Sequence, residues 1–126
     1  MATVLLYNIG KEKMAKLSVV LLRSGIRWRA VSPAEYALPI GLLVGGGTAS
    51  AESESTDSPF TDELIVMHDF TRTQLNAFLD ALRRSRITIP LKAIVTETNA
   101  LWSSFQLHKE LCAEREAIEK GEKAHS

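Results

Sequence analysis

The sequence has little of what usually points to a function. Its single cysteine cannot form an internal disulfide. The 15 basic residues balance the 15 acidic ones, so no global field attracts nucleic acid or an anionic membrane. No apolar stretch approaches the roughly 20 residues that a membrane-spanning helix needs, and no export signal opens the chain. We therefore expect a cytoplasmic protein that contacts neither nucleic acid nor membrane.

The spacings that mark common catalytic, nucleotide and metal sites are also missing. HExxH, CxxC, GxGxxG and GxxxxGK[ST] are absent, and the three glycines at 45–47 follow a predicted helix instead of preceding one. From these patterns we predict no cofactor and no metal ligand. The preferred function is a non-catalytic module that binds a protein partner or a small ligand, and a homodimer is compatible with it.

What the chain does contain is an alternation of strands and helices between residues 64 and 107. The apolar run Leu64–Met67 is continuous, which is typical of a strand covered on both faces. Thr71 and Gln74 have the spacing of a capping box, which predicts a helix start. A second, more alternating strand follows at 91–95, and polar residues after it can cap another helix.

The first half of the chain follows the same plan. A continuous apolar strand is predicted at 3–7 and a helix at about 11–24. Gly25 ends that helix as a left-handed cap, and an alternating strand follows at 27–31. Each half therefore begins with a continuous apolar strand that is followed by a helix.

A constant shift of 61 in residue number, which we call the repeat offset, pairs similar side chains in the two halves. The pairs are Ile9/Phe70, Met14/Leu75, Leu17/Phe78, Leu21/Leu82, Arg23/Arg84, Ser24/Ser85 and Ile26/Ile87. In the following strand the register slips by two or three positions, so that Arg29 matches Lys92 and Ala30 matches Ala93. We interpret residues 1–126 as a single domain with an internal repeat of two β-α-β-α units.

The boundaries of the two units follow from composition. The first unit spans 1–44 and the second 62–120. Between them, residues 45–61 are mainly small, polar and acidic, and such residues cannot offset the entropy of becoming ordered. We therefore predict a flexible linker there.

The second half also resembles a known family. The likeness is carried by His68, Phe70, Leu75, Ala81-Leu82-Arg83, Pro90-Leu91-Lys92-Ala93, Thr96, Asn99 and Trp102. These residues are similar to those of the bacterial domain-of-unknown-function family numbered 3783. Asp69 stands where the family pattern leads us to expect a small residue such as glycine. The resemblance implies no activity, cofactor or catalytic residue, so it supports the domain assignment alone.

These elements predict an α/β fold with one four-stranded sheet of order 2-1-3-4. The two continuous apolar strands lie inside, and the alternating strands lie at the edges. Because apolar runs without alternation need cover on both faces, we favour a parallel sheet with helices on both faces. The alternative is a ferredoxin-like α+β sheet, in which the two central strands are antiparallel.

In an open parallel sheet, ligands bind beyond the carboxyl ends of the strands. That rule selects the polar residues that follow the strands and one aromatic residue at the start of the last helix. The candidate ligand-binding residues are Asn8, His68, Asp69, Thr96, Glu97, Asn99 and Trp102. The alternative function is a small enzyme that uses His68, Asp69 and Glu97, with His68 as the acid or base.

One further pattern lies on the last predicted helix. His108 and Cys112 are four residues apart, which is the spacing of a ligand or nucleophile pair. They also continue an inward-facing stripe that begins with Leu101 and Phe105. We therefore interpret both as packing residues.

The segment Arg27-Trp28-Arg29 combines basic and aromatic residues, as a platform for single-stranded nucleic acid does. Successive side chains of a strand point to opposite faces. We therefore expect Trp28 to face the core and the two arginines to face water, which argues against such a platform.

Overall fold

One mixed sheet with helices on both faces organises the chain. The computed structural model describes residues 2–45 and 59–125, with side chains described for 2–45 and 59–116. The strands are β1 (Thr3–Tyr7), β2 (Arg27–Ala30), β3 (Leu64–His68) and β4 (Leu91–Ile94). The α-helices are α1 (Lys11–Arg23), α2 (Ile40–Val44), α3 (Arg72–Arg84) and α4 (Ser104–His125), and short 3-10 helices lie at Pro33–Glu35 and Asn99–Leu101. No helix in the described ranges is long and apolar enough to cross a bilayer.

The strand order is β2-β1-β3-β4, as predicted. The outer pairs, β1 with β2 and β3 with β4, are parallel. The central pair of β1 and β3 is antiparallel, so our prediction of an all-parallel sheet was wrong at this pair. The ferredoxin-like alternative had the correct direction for the central pair, but the parallel outer pairs separate this sheet from that fold.

The prediction was wrong for a physical reason: the burial of a strand on both faces does not determine whether it runs parallel or antiparallel to its neighbour. One core lies on the α1/α3 face and includes Val4 and Leu6 of β1; the other lies on the α2/α4 face and includes Leu5 and Tyr7. The central strands are therefore covered on both faces without being parallel. The rule of right-handed crossovers applies within each β-α-β unit and leaves the long connection from β2 to β3 unconstrained.

The ladder between β1 and β3 has a local two-fold symmetry. Leu5 pairs with Val66, Thr3 with His68, and Tyr7 with Leu64. Since Leu5 and Val66 are themselves related by the repeat offset, the symmetry axis passes between them. The two halves thus face each other through equivalent residues.

The backbone repeats at the same offset beyond the strands. Gly25 and Arg86 both have positive φ, at 67° and 57°, one residue beyond the C-caps Ser24 and Ser85 of α1 and α3. The residue after each closes the helix with the same hydrogen bond, from Ile26 N to Leu21 O and from Ile87 N to Leu82 O, each 2.9 Å. These bonds are the hallmark of a Schellman helix end.

The equivalence shifts in the outer strands. Thr3 pairs with Arg27, whereas Leu64, its equivalent, pairs with Leu91. The repeat offset alone would place Thr88 opposite Leu64, so the register slips by three positions in β4. Our match of Arg29 with Lys92 was wrong by one position, because three additional residues precede β4.

The predicted burial of two side chains was also wrong. Trp28 is 42% exposed, whereas Arg29 is half-buried and donates to Glu35 and to the Leu43 carbonyl. Both observations follow from the position of β2 at the edge of the sheet. On the α1 side the edge leaves Trp28 only partly covered, and on the other side Arg29 reaches Glu35 and Leu43, which lie between β2 and β3. Leu101 is 81% exposed, because it belongs to a 3-10 helix and not to the inward stripe of α4.

Most of the predicted linker, residues 46–58, lies outside the described residues. Phe60, which we assigned to the same linker, is half-buried and packs against the α2/α4 core. The ordered second half therefore begins before β3, with a segment that is anchored by an aromatic ring.

Candidate metal-binding site

The antiparallel central pair places the predicted site residues at opposite ends of the sheet. Asn8 follows β1 at one end, which we call the Asn8 end. Because β3 and β4 run antiparallel to β1, they end at the opposite end of the sheet, which we call the His68 end. His68 is the last residue of β3, and the other candidates at this end follow β3 or β4: Asp69, Thr96, Glu97 and Asn99. The structure therefore does not bring Asn8 together with the others.

At the His68 end, Thr96 and Asn99 form hydrogen bonds with each other and with the backbone. Asn99 Oδ1 accepts from the Thr96 amide at 2.7 Å, and the Asn99 amide donates to Thr96 Oγ1 at 3.1 Å. Asn99 Nδ2 donates to the Ile94 carbonyl at 3.0 Å. These bonds shape the turn after β4. Together with half-buried Trp102, both residues line a groove of about 530 Å³ beside β4.

The other three candidates at the His68 end differ in exposure. Asp69 and Glu97 are exposed, and His68 is half-buried. Asp69 has a φ of 61°, the left-handed conformation that glycine adopts most readily, which accounts for our expectation of a small residue there. In the described part of the chain, none of these three belongs to a group of three metal-ligating side chains.

Such a group does occur at the Asn8 end. Asp62, His108 and Cys112 each present one ligand atom, and the three atoms all lie within 4.8 Å of one another. His108 Nε2 is 2.7 Å from Asp62 Oδ2 and 3.6 Å from Cys112 Sγ. The His108 side chain is 20% exposed and that of Asp62 is 54% exposed, so the cluster opens to solvent on the Asp62 side.

Two elements bring these ligands together. His108 and Cys112 are one turn apart on α4, which places both side chains on the same face of the helix. Asp62 lies just before β3, where Asn8 holds the backbone: Asn8 Nδ2 donates to the carbonyls of Phe60 and Asp62 at 2.9 and 3.0 Å. Asn8 therefore fixes the segment that carries the carboxylate.

Aromatic rings orient the histidine. The Phe60 ring stacks on the His108 ring with centroids 4.1 Å apart and planes 2° apart, and the Tyr36 ring in turn stacks on Phe60 with centroids 4.6 Å apart. The Tyr36 hydroxyl donates to Asn8 Oδ1 at 3.2 Å. Burial raises the pKa of Tyr36 above its ordinary value of 10.0, at which a phenol is already protonated at neutral pH.

Beneath this layer, the Tyr7 and Ser104 hydroxyls share a hydrogen bond of 2.6 Å. Both residues are fully buried, and burial raises the pKa of Tyr7 far above its ordinary range. This bond joins the end of β1 to the first residue of α4. It therefore fixes the helix from which His108 and Cys112 project.

The cluster differs from a catalytic triad in how the imidazole is used. In a cysteine-histidine-carboxylate triad, the thiol and the carboxylate contact opposite nitrogens of the ring. Here both Asp62 and Cys112 approach Nε2. Three ligand atoms that converge on one point are instead the arrangement of a metal site.

One of the two separations measured from His108 Nε2 matches tetrahedral zinc, and the other is shorter. Metal–ligand bonds of about 2.0–2.3 Å place the ligand atoms of such a site about 3.3–3.7 Å apart. The 3.6 Å separation of His108 Nε2 and Cys112 Sγ falls in this range. The 2.7 Å separation of His108 Nε2 and Asp62 Oδ2 would have to lengthen by roughly 0.6 Å, which an exposed carboxylate can do by rotating.

Comparison with known proteins gives one match. Residues 63–118 match the model of the Domain of unknown function DUF3783. This match covers the second half of the chain and confirms the resemblance noted from the sequence. No curated protein and no solved structure matches the chain.

The DUF3783 segment contains only part of the cluster. His108 and Cys112 lie within it, whereas Asp62 immediately precedes it. Asn8 and Tyr36, which position the Asp62 backbone, come from the first half of the chain. The geometry of the site thus depends on both halves.

Sequence reasoning selected none of these three residues as a metal ligand. The spacing of His108 and Cys112 was visible, but we interpreted the pair as packing residues. Asp62 is far from His108 along the chain, and no local pattern marks their contact. Asn8 was selected as a ligand-binding residue, and its side chain instead contacts the backbone that carries Asp62 and the Tyr36 hydroxyl.

Proposed function

We propose that this protein is a non-catalytic binding module whose small ligand is a transition-metal ion. Asp62 Oδ2, His108 Nε2 and Cys112 Sγ are the protein ligands. The observation that carries the proposal is the convergence of these three atoms, all within 4.8 Å of one another, from two separate parts of the chain.

The donor set selects the class of metal. A thiolate and an imidazole favour zinc and similar transition metals over magnesium or calcium, which prefer oxygen ligands. The thiolate and the carboxylate each carry one negative charge, and the imidazole is neutral. Together they balance the charge of a divalent cation.

Three protein ligands leave one position of a tetrahedral site open. The exposed side of the cluster, beside Asp62, is where a water molecule or an anionic group of a second ligand would complete the coordination. This position gives the module a way to bind a small molecule or an acidic side chain of a partner through the metal.

The test is a titration of the chelator-treated full chain with Co²⁺, followed by displacement with Zn²⁺. We expect a saturable thiolate-to-cobalt charge-transfer band and visible absorption typical of tetrahedral cobalt. Cys112→Ser should remove the charge-transfer band. His108→Gln and Asp62→Asn should each weaken binding by roughly a hundredfold, since even the loss of an outer-shell contact costs about 10–100-fold.

His68→Gln provides the matched control, because His68 is a half-buried histidine at the opposite end of the sheet. This variant should bind cobalt as the unmodified protein does. Zinc should also raise the melting temperature, with about 2.7 kcal/mol of stabilisation when the free ion is at 100 times its Kd. Absence of saturable binding, or equal losses in His68→Gln and His108→Gln, would contradict the proposal.

A further inference from the structure

The opposite face of the molecule contains a cavity between α1 and α3. It has a volume of about 490 Å³ and lies beside the last turns of both helices. Its polar lining consists of Lys16, Arg23, Ser24, Arg84 and Ser85. The metal cluster is on the α2/α4 face, so the two sites are separate.

The cavity is lined by both copies of the same helix end. The repeat offset relates Arg23 to Arg84, and it also relates Ser24 to Ser85. The equivalent residues converge because α1 and α3 pack side by side on one face of the sheet. Each half therefore contributes one guanidinium and one hydroxyl to a common space.

The charge of this lining is uniformly positive. Lys16, Arg23 and Arg84 line the cavity, and no acidic residue is part of the lining, although Glu12 lies one turn before Lys16 and lines a neighbouring cavity with it. In the ranges that the structure describes, none of the three forms an ion pair, whereas the neighbouring Arg83 approaches Asp80 at 3.6 Å. A cation near a helix C-terminus is favourable for that helix. Lys16 lies in the middle of α1, however, where the helix dipole gives no such reason.

We propose that this cavity binds a small phosphorylated molecule. Arginine and hydroxyl groups donate the charge-assisted hydrogen bonds that phosphate oxygens accept. The volume lies in the range of about 300–1,000 Å³ that is typical of small-molecule sites. The doubled arginine and serine match a ligand with two adjacent phosphate groups better than a ligand with one.

The test uses inorganic diphosphate as the probe, with inorganic phosphate in parallel, and calorimetry on the full chain at an ionic strength of about 0.15 M to screen diffuse attraction. We expect saturable binding of diphosphate that is tighter than that of phosphate. Arg23→Gln and Arg84→Gln should each weaken diphosphate binding about tenfold or more, as expected for the loss of hydrogen bonds to a charged group.

Arg83→Gln is the matched control, because it removes the same charge from the same helical turn at a side chain that is 82% exposed and outside the cavity lining. Its diphosphate affinity should stay within about twofold of that of the unmodified chain. Circular dichroism checks that each variant is folded. Lack of saturation at about 10 mM diphosphate, or an equal loss in Arg83→Gln and Arg84→Gln, would overturn the proposal. None of these variants changes Asp62, His108 or Cys112. The outcome for diphosphate therefore neither supports nor contradicts the metal-binding proposal, which the cobalt titration tests separately.

Discussion

Asn8 and Asp69 occupy the same place in the two halves of the molecule, yet their surroundings differ. Both follow an inner strand, and their φ values are 60° and 61°. The Asn8 amide joins the backbone that carries a candidate metal ligand, whereas the Asp69 side chain is exposed. The two positions therefore share a local backbone conformation. The chemistry depends on what packs over each end of the sheet.

The covering segments explain that difference. At the Asn8 end the chain returns through Phe60 to Asp62, and α4 lies across it with His108. At the His68 end the turn after β4 is closed by Thr96 and Asn99, which bond to each other. Variants at equivalent positions can separate what the two halves share from what distinguishes them.

The largest effect is expected in the shared core. Leu17 and Phe78 are equivalent, fully buried and part of the same α1/α3 cluster. Phe78→Ala should lower the free energy of unfolding by about 3–5 kcal/mol and Leu17→Ala by about 2–5 kcal/mol. Urea denaturation followed by circular dichroism should still show one transition for each variant. Two separate transitions would mean that the halves do not unfold together.

The pair Asn8→Gly and Asp69→Gly tests the contrast directly. Both changes relieve a positive φ, which is worth about 0.5–1 kcal/mol. Asn8→Gly also removes three hydrogen bonds of about 1 kcal/mol each, so a net loss of about 2 kcal/mol is expected.

Asp69→Gly relieves the same strain but also removes the hydrogen bond of an exposed carboxylate to the amino terminus, so its net change should stay within about 1 kcal/mol, smaller than that of Asn8→Gly. If Asn8 positions Asp62 for a metal, Asn8→Gly should also weaken cobalt binding by about 10–100-fold, and Asp69→Gly should leave it unchanged. Equal stability changes in the two variants would remove the distinction between the two ends.

The edge strands provide a third comparison, through pH. Glu35 pairs with Arg29 of β2, and Lys92 of β4 donates to the Ile89 carbonyl instead. Burial acts to raise the pKa of Glu35, but hydrogen bonds from Ser32 and the charge of Arg29 outweigh it and lower the pKa below its usual 4.5. Folding therefore favours the carboxylate, and its stabilisation is present above pH 4.5 and is lost as the pH falls through the folded-state pKa.

Accordingly, Glu35→Gln should cost about 1 kcal/mol at neutral pH. The difference from the unmodified protein should shrink in acid, below the ordinary carboxyl pKa. Lys92→Met at the other edge should produce no such dependence on pH. Denaturation at several pH values measures both, and a constant cost for Glu35→Gln would show that its charge does not matter.

The smallest effects are expected at the helix ends. Arg86 adopts the left-handed conformation that Gly25 adopts at the equivalent position. Arg86→Gly should therefore raise the free energy of unfolding by about 0.5–1 kcal/mol, and Gly25→Ala should lower it by about 1 kcal/mol. Thermal denaturation of both variants checks the two signs, and a matching sign would contradict the equivalence.

The strand order was predictable because apolar continuity separates inner from edge strands, and the helix of the second half was predictable because Thr71 and Gln74 mark its start with local bonds. The direction of β3 was not predictable, since the full burial of Val66 does not indicate which way the strand runs. The site was partly predictable. One turn of helix places Cys112 beside His108, but the arrival of Asp62 depends on the whole fold.

The Tyr7–Ser104 bond has a consequence for how the central strands align. Sliding β1 by one residue would exchange the side chains of the two cores, and interchangeable aliphatic groups would resist that exchange only weakly. Tyr7 resists this exchange. On the apolar α1/α3 face its hydroxyl would be buried without Ser104 as a hydrogen-bond partner, which costs about 1–3 kcal/mol. A single polar contact thus helps to fix the register of two strands whose other buried side chains are apolar.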